Sequence, residues 1–135
     1  MPTIVTTSGL AADAYCDTCP TREALNRLSS KWTVLIVDLL GDGVCRFRDL
    51  NRRIGGISQK MLTQTLRELE ADGYVTRTVF PVVPPRVDYE LTPLGRSLHG
   101  LLSQVRDWAE THVNDIEAAR ADYSTRKAKE NRFAV

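Results

Sequence analysis

At 135 residues, with 42% hydrophobic and 26% charged side chains, the chain has the length and composition of one folded domain with flanking arms. No apolar run approaches the roughly 20 residues of a membrane span, and the opening residues lack the basic-then-apolar order of a secretory signal, so a cytoplasmic location and no membrane partner are expected. A net charge of +1 excludes a uniformly basic polyanion binder, which leaves the distribution of charge as the informative quantity.

Residues 1–12 show no period and little bulk, so a flexible N-terminal arm is expected there. A helix is predicted from Pro20 through Leu28, with Ala24, Leu25 and Leu28 inward. Ser29 and Ser30 break or cap it. Residues 31–40 then form a second helix, to which Trp32, Leu35, Ile36, Leu39 and Leu40 give a wide apolar face. Gly41, Asp42 and Gly43 make a turn.

In residues 46–54, Phe47, Leu50 and Ile54 recur at i, i+3 and i+7 and predict a short helix. Gly55 and Gly56 can take the left-handed conformation that ends it. Ser58 is a natural N-cap for the next helix, which buries Met61, Leu62, Leu66 and Leu69 and stops before Gly73. Helix, glycine turn and helix together read as a helix-turn-helix. The polar face of its second helix carries Gln59, Lys60, Thr63, Gln64 and Arg67, side-chain types able to pair with base edges and phosphates in a major groove.

Residues 74–80 and 87–91 are rich in β-branched and aromatic residues, as strands are. Their link holds Pro81, Pro84 and Pro85, is stiff, and projects Arg86, so the hairpin reads as a wing. Thr92-Pro93 is a cap followed by proline at the first helical position. The helix it opens is expected to reach about Ala119, with Leu94, Leu98, Leu101, Leu102, Val105, Trp108, Ala109, Val113 and Ile116 as its apolar stripe. That stripe is too long for so small a domain to cover, so residues 93–119 are expected to meet a second copy. The expected domain therefore spans 13–119, and 120–135 is expected to be a flexible tail. The fold class is mainly α with a small β-hairpin: a winged helix-turn-helix with N-terminal helices and a long C-terminal dimerisation helix.

Charge follows this layout. Residues 46–67 hold six basic residues (Arg46, Arg48, Arg52, Arg53, Lys60 and Arg67) against the single acid Asp49. Asp107, Glu110, Asp115, Glu117 and Asp122 lie towards the other end. A basic footprint on one element outweighs the whole-chain sum.

Several segments together resemble the HxlR-type (DUF24) winged-helix transcriptional regulators. They are Cys19-Pro20, Lys31-Trp32, Arg46-Phe47-Arg48-Asp49-Leu50, Gly56-Ile57-Ser58-Gln59-Lys60-Met61-Leu62, Leu66-Arg67-Glu68-Leu69-Glu70-Ala71-Asp72-Gly73, Val83-Pro84-Pro85-Arg86-Val87 and Leu91-Thr92-Pro93-Leu94-Gly95. The resemblance covers roughly residues 16–118. Ser29-Ser30 stands where the family often has glycines, and Cys16 and Cys45 are additional. The resemblance implies a homodimeric, cytoplasmic regulator on a two-fold-related DNA operator, and a cysteine, matched by Cys19, through which some members sense thiol-reactive compounds. The two recognition helices of such a dimer are expected about 34–36 Å apart, or a multiple of that.

Gln59 and Gln64 suit adenine, while Lys60 or Arg67 suits guanine or phosphate. Ser58 is chiefly a cap that can also touch a phosphate. Arg46, Arg48, Arg52 and Arg53 are candidates for positioning the protein on phosphates, with plain surface charge as the alternative. Arg86 is a wing contact, or else a surface arginine paired with Asp88. Trp32 and Trp108 read as packing residues.

Three cysteines in a cytoplasmic-looking chain argue against a disulfide framework. Cys16 and Cys19 would need further ligands for zinc, and a dithiol enzyme would want a βαβ setting. The remaining alternatives for Cys19 are a buried filler and a sensor whose thiolate is favoured at a helix N-cap with Arg22 nearby; Cys16 would be its resolving partner and Cys45 structural. There is no metal-ligand cluster, Gly-rich phosphate loop or nucleophile–base pair, so no enzyme activity, cofactor or metal is expected. The expected function is a homodimeric, sequence-specific DNA-binding regulator, a repressor modulated by an electrophile or oxidant at Cys19. A regulator answering a small-molecule effector and a winged-helix protein-interaction module remain the alternatives.

Overall fold

The structure, a computed structural model, describes residues 4–133; residues 1–3 of the expected arm and 134–135 of the expected tail lie outside the described residues. The chain divides into two compact units, one ending at Leu102 and one beginning at Ser103. The first contains α1 (Pro20–Leu28), α2 (Lys31–Leu40), β1 (Cys45–Arg46), α3 (Phe47–Arg53), α4 (Gln59–Ala71), β2 (Val75–Phe80), β3 (Arg86–Leu91) and the first turns of α5 (Pro93–Phe133). The strands form one antiparallel sheet in the order β1-β3-β2.

The core follows from the helical spacing of large aliphatic residues. Ile36, Val37 and Leu40 of α2 meet Leu50 of α3 and the adjoining Ile54. Leu62, Leu66 and Leu69 form the inner row of α4, each no more than 1% exposed. Val75, Tyr89 and Leu91 line the sheet side, and Leu98 and Leu102 complete the cluster. Truncating any of the leucines to alanine removes a transfer term and leaves a cavity, about 2–5 kcal/mol in a packed core. Thr65 shares the inner row of α4, and its hydroxyl donates to the Met61 carbonyl at 2.8 Å, so burial leaves it satisfied.

Local chemistry sets the element ends. Ser58 Oγ accepts the Met61 amide at 3.0 Å and caps α4. At the other end the Tyr74 amide bonds the Leu69 carbonyl and the Gly73 amide that of Glu70, with Gly73 at φ +82°, a Schellman stop. Thr92 Oγ1 accepts the Gly95 amide at 3.1 Å and donates to the Gly73 carbonyl at 2.5 Å. One hydroxyl therefore ties the end of α4 to the start of α5. Arg27 joins α1 to α4, with Nε 2.7 Å from Asp72 and Nη1 3.2 Å from Glu68.

Several sequence expectations are corrected. The sheet has a third strand, β1, and Arg46 belongs to it rather than to α3; two residues carry no readable period. Ala24 and Leu25 are exposed and only Leu28 is half-buried, because α1 lies at the margin of the domain and contributes no fully buried residue. Met61 is 38% exposed, one position off the row of Leu62, Thr65, Leu66 and Leu69. α5 continues past Ala119 to Phe133, since residues 120–133 contain neither Gly nor Pro and are rich in Arg, Lys and Ala. Polarity alone does not end a helix.

The second unit, described by itself, is continuous helix. The Trp108 and His112 rings stack at 4.6 Å, and Val105, Trp108 and Val113 are exposed. No helix of the described residues is long and apolar enough to cross a membrane.

Candidate nucleic-acid interface

Burying one side of α4 through four core residues forces its other side outward. Gln59, Lys60, Gln64 and Arg67 are exposed, and Thr63 is half-buried with its hydroxyl donating to the Gln59 carbonyl at 2.8 Å. These five, with Glu68, line one shallow depression. Ser58 serves as the cap, its Oγ occupied by the Met61 amide. α4 is presented after a turn in which Gly56 holds φ +81°, the left-handed region that favours glycine.

Ion pairing separates the arginines. Arg52 reaches Asp49 at 2.8 Å, within its own helix. Arg86 faces Asp88 at 3.2 Å and stacks over the Phe80 ring at 4.2 Å. Arg46, Arg48, Arg53, Lys60 and Arg67 make no ion pair within 4.0 Å among the described residues. An unpaired cation can meet a phosphate without first giving up a carboxylate. Arg86→Ala is expected to lower stability by about 1 kcal/mol, because it strips Asp88 of its counter-charge and uncovers Phe80. The midpoint of urea unfolding reads this directly; an unchanged midpoint would show that the pair contributes nothing to the wing.

The sequence reading missed Arg77 and Tyr89. They are register partners on β2 and β3, two residues along from the buried Val75–Leu91 pair, so they share its face of the sheet. With Phe47, Thr63, Arg67, Glu70 and Val87 they line a cleft of about 250 Å³ between α3, α4 and the wing. Counting by two from Val75 was the available signal; the apolar bulk of the ribbon masked it.

Cys19 is the N-cap of α1, with Pro20 following and only 4% exposure. Its Sγ accepts the Asp13 amide at 3.2 Å, lies 3.4 Å from the Thr21 hydroxyl, and lies 3.1 Å from the Ala11 carbonyl oxygen. The Thr21 hydroxyl and then the Asp13 amide lower the thiol's pKa, against burial and the Asp13 charge. Arg22, expected to favour the thiolate, keeps its charge but donates to the carbonyls of Ala14 and Tyr15 at 3.1 and 3.0 Å, and the lowering comes from Thr21 and Asp13 instead. Cys16 is exposed, and Thr18 lowers its pKa, whereas burial raises that of Cys45. All three thiols are free.

The family model of the HxlR-like helix-turn-helix matches residues 27–117. The chain belongs to the HxlR-like family. It is 45% identical over 106 residues to the uncharacterized HTH-type transcriptional regulator YtfH of Escherichia coli (strain K12), covering 78% of this chain and 84% of that protein. The solved structure of the regulator YtfH from Salmonella typhimurium superposes with a TM-score of 0.77 at 44% identity, over 81% of this chain and 97% of that one. The redox regulator HypR in its reduced form gives a TM-score of 0.66 at 39% identity, over 73% and 98%. The HxlR-like chain is thus a transcriptional regulator of the helix-turn-helix type, with the winged fold of its relatives.

Proposed function

We propose that this HxlR-like protein acts as a cytoplasmic homodimer that binds a two-fold-related DNA operator through α4. The observation that carries the reading is the exposed row of Gln59, Lys60, Gln64 and Arg67, backed by cations that no carboxylate engages within 4.0 Å among the described residues. Glutamine can bond adenine N6 and N7 together, and arginine can bond guanine O6 and N7 together. The exposed Val105, Trp108 and Val113 support pairing of the second unit with that of another copy, since such residues on an isolated helix gain by leaving water. Binding to native duplex is expected to weaken steeply as salt rises, because phosphate contacts release counterions. Salt-independent binding, or none, would remove the DNA-binding reading.

Thiol modification at Cys19 is proposed to modulate that binding. Support comes from its lowered pKa at the α1 cap and from the likeness to the redox regulator HypR. Diamide is expected to change the operator affinity of the wild type and to leave Cys19→Ser unaffected. Equal responses in the two proteins would exclude this residue as the switch.

A further inference from the structure

We infer that the cleft between α4 and the wing seats one phosphodiester of the bound DNA backbone, with Arg67 and Arg77 as its cationic walls. The inference rests on α4 being the DNA-contacting helix. It adds a contact from β2 that fixes how deeply that helix enters the groove.

Three observations lead there. First, Arg67 and Arg77 both line the cleft, and neither has a carboxylate within 4.0 Å among the described residues, although Glu70 lines it too. Four other arginines of the winged unit sit in ion pairs: Arg27 with Asp72, Arg52 with Asp49, Arg86 with Asp88 and Arg96 with Glu90. Two unpaired cations facing one recess attract an oxyanion. Second, Thr63 and Arg67 line both this cleft and the depression along α4, so an anion seated here lies at the edge of the reading face. Third, a space of about 250 Å³ falls below the roughly 300–1,000 Å³ of small-molecule sites but admits a phosphate group.

Tyr89 is the positioning residue of this arrangement. Its ring is 7% exposed and belongs to the core, while its phenol stands against Arg77 across the β2–β3 register. Burial raises the phenol's pKa, and the adjacent Arg77 opposes that shift first, with Arg67 acting in the same sense. Arg77 therefore rises from a fixed floor formed by Tyr89, with Phe47 and Val87 beside it. A preset guanidinium loses less freedom on meeting a phosphate than one on a mobile loop.

The test uses the full-length protein and an operator duplex. Arg77→Gln is expected to weaken binding several-fold on operator and unrelated duplex alike, and to lower the slope of log affinity against log salt by about 1.8, about 0.9 for the one phosphate lost in each half-site. Arg77→Lys keeps the charge and is expected to recover the slope. Duplexes carrying single neutral methylphosphonate linkages then locate the contact. One linkage per half-site is expected to cost the wild type at least as much as Arg77→Gln does, and to cost Arg77→Gln less than it costs the wild type, the remainder being the contact that Arg67 keeps.

Three results would overturn the seat: an unchanged salt slope in Arg77→Gln, a loss confined to one base sequence, or a variant as sensitive as wild type at every linkage. Should the wild type fail to bind duplex, the DNA reading itself falls. The melting curve of Arg77→Gln, expected to match wild type because the residue is exposed, separates lost contact from lost fold.

Discussion

Arg67→Ala is expected to reduce affinity for an operator duplex by roughly 5- to 150-fold, the equivalent of about 1–3 kcal/mol, and to leave the thermal melt unchanged. The two halves of this expectation have separate causes. Arg67 is exposed, makes no ion pair within 4.0 Å among the described residues, and stands outside the Leu62, Leu66 and Leu69 row, so the fold does not depend on its guanidinium. Yet it belongs to both recesses on the outer side of α4, where a base edge or a phosphate can be met. Gln64→Ala is expected to act in the same direction with greater dependence on operator sequence. Arg52→Ala provides the contrast: its charge is already engaged by Asp49, so a smaller loss is expected. If Arg67→Ala and Gln64→Ala both retain full affinity, α4 is not the reading helix.

The largest stability effect is expected at Gly95. A Cβ built there would lie 2.1 Å from the Tyr74 carbonyl oxygen and 3.0 Å from a methyl of Leu91. That carbonyl also accepts the Thr92 amide at 3.0 Å, so it cannot retreat without disturbing the cap of α5. Gly95→Ala is therefore expected to cost about 3 kcal/mol or more, above the usual penalty for overpacking a flexible side chain, and to lower Tm by roughly 10 °C or more. Gly100 lies in the same helix, and a Cβ there meets nothing within 4 Å. Gly100→Ala is expected to gain about 0.5–1 kcal/mol from helix propensity. Opposite signs for one substitution at two sites of α5 would be measured by denaturant unfolding. A neutral Gly95→Ala would mean that the β2 entry and α5 are not held as closely as their spacing implies.

The parts of this fold that a reader of the sequence recovers are those fixed by short-range chemistry. Pro20, Ser58, Thr92 and Gly73 each mark a helix end through a bond or a backbone angle within a few residues, and all four boundaries hold. The leucine row of α4 is equally local, which is why its outer face could be named at once. The omissions are long-range. β1 exists only because Cys45 and Arg46 find Tyr89 and Asp88. The ties of Arg27 to Glu68 and Asp72 cannot be inferred from spacing, because α1 and α4 belong to different parts of the chain. Arg77 was hidden for a related reason: whether a strand residue faces solvent or a neighbouring helix depends on which side of the sheet that helix covers. The exposure of Leu25 shows the converse, an apolar spacing that no neighbour covers within the described chain.

The bond between Arg27 and the far turn of α4 makes α1 a strut between that turn and the Cys19 cap. Its other footholds are slight, a half-buried Leu28 and Thr21, while its opposite end carries the Cys19 turn. Cys19 caps one end of α1 and Arg27 ties the other to Glu68 and Asp72, with Glu68 next to Arg67 in α4. The thiol switch proposed for Cys19 therefore has a continuous route to α4 within the chain, along α1 and through Arg27.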